Sequence, residues 1–530
     1  MSCRRNGLPR LPRKEVSNGT VQGFFRGMVV HSLVIAGSLL LSGVSFGAET
    51  PQYGGVMKVV DMAEGGQPLG VPWENVSIDT KLMTPVIETL LVEDASGKLY
   101  PHLATGYKID TNGKTITFTL RKGITFHDGT EFNAEAVRWC WQNAINAKIA
   151  PGWESVEALG DSVRVHYTAF ENDFANRGAS RSFGAISPTA FKKNGIDWAR
   201  WNPVGTGPFK FVKFQRGSIL SYRKNNDYWI KGKPYLDGID YLFIRDPMTQ
   251  EIALMTGDKE QRIDVLSVTS GEQAATMKAK GFTVLKMPVG PISLIPDSAN
   301  ADSPLARLKV REAISYAIDR EGIVKARGFG IWKPAYQFQP DNMPTYVPNF
   351  QGTLYNPQKA KQLLAEAGYP SGFKTKIIVM PAMVDRDAMV AVQRNLAEVG
   401  IQAEMEFPDN GGYTNYRFNG WHNGLMAQHT RALANFNQTF SIYFLPGFKQ
   451  FPSLKRAPVL IELIDASMRT PAPSAEKGQA LTRLMAQDAM VIPVYYVYEM
   501  YITRPNVHDT GYAEWSGSTI YRPENAWLGK

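Results

Sequence analysis

Residues 28–41 (MVVHSLVIAGSLLL) form one apolar stretch near the start of the chain, and no later stretch stays apolar for 18 residues. A span of a bilayer needs about 20 apolar residues, so these 14 read as the apolar centre of a secretory signal and not as a membrane helix. Arg4, Arg5, Arg10, Arg13, Lys14 and Arg26 lead into it, and Ser42, Gly43, Ser45, Gly47 and Ala48 follow. That basic, apolar, small-residue order marks a cleavable leader over residues 1–48, cut after Gly47 or Ala48. The remainder is expected to be soluble and periplasmic. No cysteine follows the apolar run closely enough to take a lipid, and Cys140 is the only cysteine beyond the leader, so no intrachain disulfide is expected. A single apolar core stops growing near ~250–300 residues. An exported chain of 530 residues without disulfides therefore has to build several cores from apolar burial alone.

The net charge of +9 is uneven. Six basic residues against Glu15 place +5 in the leader, which leaves only +4 on the rest. No basic stripe follows, so no nucleic-acid partner is expected. Gly-x-Ser-x-Gly occurs once, at residues 43–47, inside the segment that would be removed, so it is no nucleophile elbow. There is no phosphate-binding Gly-x-x-x-x-Gly-Lys loop, and Pro208 breaks the glycine pattern at Gly205 and Gly207. His422 and His429 are the closest histidine pair, seven residues apart with no acid between them, a poor ligand spacing. Neither an enzyme active site, a cofactor nor a metal centre is expected.

Strand and helix patterns alternate along the rest of the chain. Residues 108–120 read as a hairpin turning at Asn112-Gly113, and Asn133 reads as the N-cap of a helix reaching Ala147. Strands are expected at residues 54–60, 163–167, 209–214, 219–223, 239–244, 376–380 and 492–498. Helices are expected at 80–92, 248–256, 310–325, 357–367 and 388–399. The apolar side of the 310–325 pattern is Val310, Ile314, Ala317 and Ile318. Repeated strand-then-helix order points to an α/β architecture.

Four segments in order carry a resemblance. They are FTLRKGITFHDGTEFNAEAV (118–137), NPVGTGPFKF with RKNNDYW (202–229), VREAISYAIDREGI (310–323) and YNPQKAKQLLAEAGY (355–369). Together they resemble the bacterial extracellular solute-binding proteins of family five, which serve peptide and nickel ABC importers. Glu131-Phe132 stands where that family usually has a small residue and Pro. The resemblance implies a two-lobed periplasmic binding protein (type II, cluster C-like) with an extra domain inserted in the first lobe. Lobe I would comprise residues 49–82, 204–290 and 493–530, the extra domain 83–203, and lobe II 291–492. The lobes would be joined by crossings near 289–294 and 489–494. It further implies a monomer that closes on a peptide or small-molecule ligand and hands it to the permease subunits of an ABC transporter. The motif residues themselves read as scaffold: Arg121 and Asp128 pinning a hairpin and its turn, Tyr228-Trp229 packing a domain edge, and Asp319 pairing locally with Arg320.

Peptide-binding members commonly hold the ligand's ammonium with an acid in a second-lobe loop. The comparable stretch here, GWHNGLMAQHTRALANFNQTF (420–440), contains no Asp or Glu. A buried ammonium without a partner is costly, so the acid would have to come from Glu64, Asp297 or Asp409. Arg431 could take a carboxylate in a two-pronged contact, His429, Asn435 and Asn437 could hydrogen-bond, and Trp421 and Tyr413 could cover a ring or apolar chain. A carboxylated non-peptide solute or a metal chelate stays open as ligand. As competing readings, an exported hydrolase or a chemoreceptor partner stays open for the chain as a whole.

Overall fold

The structure, a computed structural model, describes residues 50–530 apart from 62–66, 76–79, 95–97, 179–180, 351, 381–382, 434, 446–449, 471 and 513–521. The leader and Glu64 lie outside the described residues.

Among the described residues, eleven strands make one mixed sheet. Its middle is a ribbon of two long antiparallel strands, Thr283–Pro296 and Ile492–Thr503, paired from Thr283↔Thr503 to Leu294↔Ile492. Each long strand serves a different wing. The far end of Ile492–Thr503 pairs with Val265–Val268, which leads through Val56–Val60, Gly238–Leu242 and Ile219–Lys224 to Phe209–Gln215. The far end of Thr283–Pro296 pairs with Gly424–His429, which leads through Phe373–Ile378 to Ile401–Glu406. Both wings are parallel near their centres, so their strands are covered on both faces and read as apolar runs. Val59, Ile239 and Val265 in one wing, and Ile377, Leu425 and Ile401 in the other, are fully buried.

Apart from this sheet stands an antiparallel one of four strands, Ala104–Asp110, Thr115–Leu120, Ser162–Tyr167 and Trp153–Leu159, with the helix Ala134–Asn146 against it. The hairpin and the Asn133 cap expected here are both present: Asp110 pairs with Thr115, and the Asn133 side chain accepts from Ala136 N. Phe118 stacks edge-on against Trp141, 5.3 Å between ring centres, which supplies this sheet's core.

Two expected helices are shorter than their apolar patterns. Residues 80–92 keep only one turn, Thr80–Met83. Pro85 follows it, and the Pro85 and Val86 carbonyls instead accept from Phe209 N and Gly207 N at 2.9 Å each. The Val-Gly-Thr-Gly segment explains why glycine is needed. A Cβ on Gly205 would sit 2.1 Å from Val86 O, and one on Gly207 2.6 Å from Pro85 O. The pattern over 310–325 breaks into Leu308–Ala317 and Arg320–Arg327, because Ile318 is extended and Asp319 caps the second helix by accepting from Gly322 N. Arg320 accordingly does not pair with Asp319.

The motif side chains close polar hubs. Glu88 accepts from His102 Nε2 (2.9 Å), Thr206 Oγ1 (2.7 Å), Tyr228 Oη (2.7 Å) and Trp229 Nε1 (3.0 Å). Burial would raise its pKa, but the His102 charge and these donors outweigh it and hold the carboxyl below its ordinary value. Arg121 donates to His102 O, and Asp128 accepts from Thr130 and Ser187. Arg320, 2% exposed, donates to Ala335 O, Pro493 O, Ser315 O, Thr353 O and Ser315 Oγ. It thereby fastens the helix Arg320–Arg327 to the start of the Ile492–Thr503 strand. Arg320→Leu strips a charged donor from several buried acceptors and should lower stability by about 3 kcal/mol or more. A thermal melt of the purified variant checks this.

Candidate functional site

The site is built on the middle of the long ribbon. Its register shifts between Pro288 and Gly290, where Gly290 takes φ +134°. At that point residues 430–432, just beyond the strand Gly424–His429, continue its antiparallel pairing along the ribbon. Thr430 N donates to Pro291 O and Ala432 N to Val289 O, both at 2.9 Å. The approach is so close that a Cβ on Gly290 would lie 2.3 Å from Thr430 O. The acid-free loop is therefore held by backbone hydrogen bonds against the strands that join the two wings.

His429 and Arg431 flank this contact. Burial, with the Arg431 charge beside it, pushes the His429 imidazole down to about 4, against a hydrogen bond to the Val289 backbone that favours the proton. Its Nε2 is enclosed and meets no hydrogen-bond partner among the described residues. Arg431 is half-buried, and its backbone N–H donates to Tyr443 Oη at 3.0 Å. A neutral imidazole beside a guanidinium suits an anionic or polar neutral group.

Asn435 and Asn437 are spent on a different contact. The Asn435 side chain caps the helix Phe436–Phe444 through Asn437 N, and its Nδ2 donates to Asn176 Oδ1 at 3.1 Å. Asn437 Nδ2 donates to Asn172 Oδ1 at 2.8 Å, while Asn172 N and Nδ2 donate to Met468 O and Ser467 O at 2.8 Å each. Arg469 Nη1 donates to Phe170 O at 2.8 Å. Residues 170–176 are thus tied across more than 250 positions of sequence to 435–437 and 467–470. Asn176 Nδ2 also donates to Glu93 Oε1 at 2.6 Å. Burial first, and then the like charge of Asp94, push the Glu93 carboxyl up to about 8 against the Asn176 hydrogen bond.

The other expected ligand residues lie inside the second wing. Trp421 is 4% exposed, donates from Nε1 to Gly424 O at 3.0 Å and packs on Phe451. Tyr413 is buried with Oη 2.7 Å from both Ala427 O and Gln428 Oε1. Asp297 is fully buried and accepts from Asn423 N (2.7 Å) and Asn300 Nδ2 (2.6 Å). Asp409 caps the helix Asn410–Asn419. Their polar atoms are engaged within this wing, so the structure brings His429 and Arg431 together but does not bring these residues to them. His422 pairs with Asp302 at 3.1 Å, a whole strand away from His429. Glu93 escaped the sequence reading because an acid beside Asp94 and a turn looks solvated. A cavity of about 590 Å³ at Arg121, Lys122, Tyr228, Trp229 and Lys231 is lined by motif segments and by none of residues 429–437.

The model of the bacterial extracellular solute-binding proteins, family 5 Middle, matches residues 98–448. The chain belongs to this family. Among its family 5 relatives, the glutathione-binding protein GsiB of Salmonella paratyphi A is 32% identical over 329 residues, 60% of this chain and 63% of that protein. The match therefore covers less than two thirds of that relative's length. DppA from Helicobacter pylori in complex with the peptide STSA superposes with TM-score 0.74 at 22% identity, covering 90% of this chain and 99% of that one. NikA from Brucella suis in complex with Fe(III)-EDTA gives TM-score 0.78 at 20% identity, covering 90% and 100%. At such identities the superpositions establish the fold: this family 5 chain has the two-lobed α/β architecture of periplasmic binding proteins. Among the described residues no helix is long and apolar enough to cross a membrane.

With its folded-state pKa depressed, His429 should stay neutral through pH 5–8. Any contribution it makes to stability is present above its unfolded value near 6.5 and is lost as pH falls toward 4. An imidazole NMR titration should give a midpoint near 4 for this ring; a midpoint near 6.5 would place it in water.

Proposed function

We propose that this family 5 protein is the periplasmic substrate-binding subunit of an ABC importer. It captures a peptide or peptide-like solute between its lobes, releases it unaltered to membrane permease subunits, and works as a monomer exported by a cleaved leader. The observation that carries this reading is the long ribbon. Among the described residues two long strands carry the sheet from one wing to the other past Gly290, and the loop with His429 and Arg431 rests on that junction. Such a joint lets two rigid bodies swing about a few backbone torsions. We place lobe I at residues 49–82, 204–290 and 493–530, the inserted domain at 83–203 and lobe II at 291–492, with the crossings near 289–294 and 489–494. The four-stranded sheet within 83–203 and the change of sheet partners along the ribbon support these bounds.

Arg431 suits a ligand carboxylate. Glutathione is a peptide with two carboxylates and one ammonium, and relatives bearing the name glutathione-binding protein make it the first probe to try. A carboxylated non-peptide solute is the second reading, favoured by the loop 420–440 without an acid.

Two results are expected. X-ray scattering should show the radius of gyration falling when the true ligand is added, with the same molecule recovered unchanged; sustained conversion would instead reveal an enzyme. Arg431→Ala should weaken binding of a carboxylated ligand at least tenfold in calorimetry, about 1.4 kcal/mol, and unchanged affinity would remove Arg431 from the site. Native mass spectrometry of protein from its own host identifies the ligand directly.

A further inference from the structure

Where residues 170–176 meet the segments 435–437 and 467–470, the centre of the contact is a pair of asparagines. Asn172 comes from the domain placed at 83–203 and Asn437 from lobe II, and they are 4% and 0% exposed. Both ends of each side-chain amide are used. Asn172 Oδ1 accepts from Asn437 Nδ2 at 2.8 Å, Asn172 Nδ2 donates to Ser467 O at 2.8 Å, and Asn437 Oδ1 accepts from Ser467 Oγ at 2.9 Å. The backbone joins in, with Asn172 N donating to Met468 O at 2.8 Å. On one side Asn435 Nδ2 donates to Asn176 Oδ1 at 3.1 Å; on the other Arg469 donates to Phe170 O at 2.8 Å and stands 3.9 Å from Glu171. Asn435 caps the helix Phe436–Phe444 and Asn437 lies in its first turn, so both are chained to the Arg431 loop. Within that loop Leu433 N donates to Thr439 Oγ1 at 2.7 Å, and Ala432 N donates to Val289 O on the ribbon.

We propose that residues 170–176 of the inserted domain latch the closed state, with Asn172 locking onto Asn437 and residues 467–470 of lobe II when the lobes shut. On the solute-binding reading above, on which this rests, the inserted domain thereby takes a part in capture without touching the ligand. Neutral amides suit a contact that has to open and shut. Shut, they bond to one another; open, they bond to water, and the exchange changes the free energy little. An apolar seam would hold the halves together for good, and an enclosed ion pair would strand a charge whenever one partner drew away. The latch acts on population. Apparent affinity scales with the fraction of molecules in the binding-competent state, and the bonds of Asn172 exist only in the shut one. Truncating either asparagine leaves the amide of the other enclosed without its partner in the shut form alone, which shifts the balance toward the open form.

The test uses the full mature chain as wild type, Asn172→Ala, Asn437→Ala and the double variant. Each is followed by X-ray scattering and by hydrogen exchange of the peptide spanning residues 170–176, without ligand and with glutathione as the probe. Asn437→Ala lies in the other lobe, yet it should speed exchange at 170–176 about tenfold and raise the radius of gyration. The four-stranded sheet and the melting temperature should stay as in wild type. Asn172→Ala should expand the chain equally, and the double variant no further. In calorimetry either variant should weaken glutathione binding about threefold or more, with the loss appearing as faster dissociation. Wild-type exchange at 170–176 and wild-type scattering in both single variants, with and without glutathione, overturn the proposal and leave the solute-binding reading intact. A lowered melting temperature together with faster exchange across the four-stranded sheet marks a fixed structural contact and overturns it as well. If glutathione binds none of the proteins, the ligand-free exchange and scattering decide alone. Conversion of glutathione to a product overturns the solute-binding reading, whatever the latch does.

Discussion

A ribbon of two strands that belongs to two wings at once has to satisfy two demands. Along most of its length Thr283–Pro296 and Ile492–Thr503 pair with each other, yet each hands its outer edge to a different half of the sheet. A regular ladder would fuse the halves into one rigid sheet. The register shift at Gly290, a residue in the left-handed region where no side chain would fit under Thr430 O, interrupts it. The proposed capture depends on that interruption, since the proposed hinge lies there and the loop of Arg431 rests there.

Polar burial elsewhere does the opposite job. Glu88 with its four donors knits His102 to Thr206, Tyr228 and Trp229, and Arg320 with its carbonyl acceptors knits a helix to the ribbon. These networks are complete, as enclosed polar groups in a rigid body need to be. The His429 Nε2 stands apart from them, enclosed and with no hydrogen-bond partner among the described residues. An enclosed polar group without a partner costs stability, and this one borders the ribbon between the wings.

Much of the local structure was legible. Turn chemistry at Asn112-Gly113, the Asn133 cap and the alternating strands all appear where the residues ask for them. The misreadings have two causes. At residues 80–92 and 310–325 a sound apolar spacing was overridden by backbone partners far along the chain, Gly205 to Phe209 in the first case, and by the Asp319 cap in the second. The site was harder. Trp421, Tyr413 and Asp297 have the chemistry of ligand residues, but only burial and partners reveal that they are occupied within their own wing. Glu93 has the look of a solvated turn acid until Asn176 and Asn435 are brought beside it.

By itself the sequence determined the family, the α/β class and the loop of residues 420–440 devoid of acids, because these follow from residue identity and short-range spacing. The tertiary structure alone decided which polar groups end up enclosed and which find partners. Residues 93, 176 and 435 meet only through folding, and whether a charge is compensated depends on what stands within a few ångströms in space, a quantity that separation along a chain does not encode.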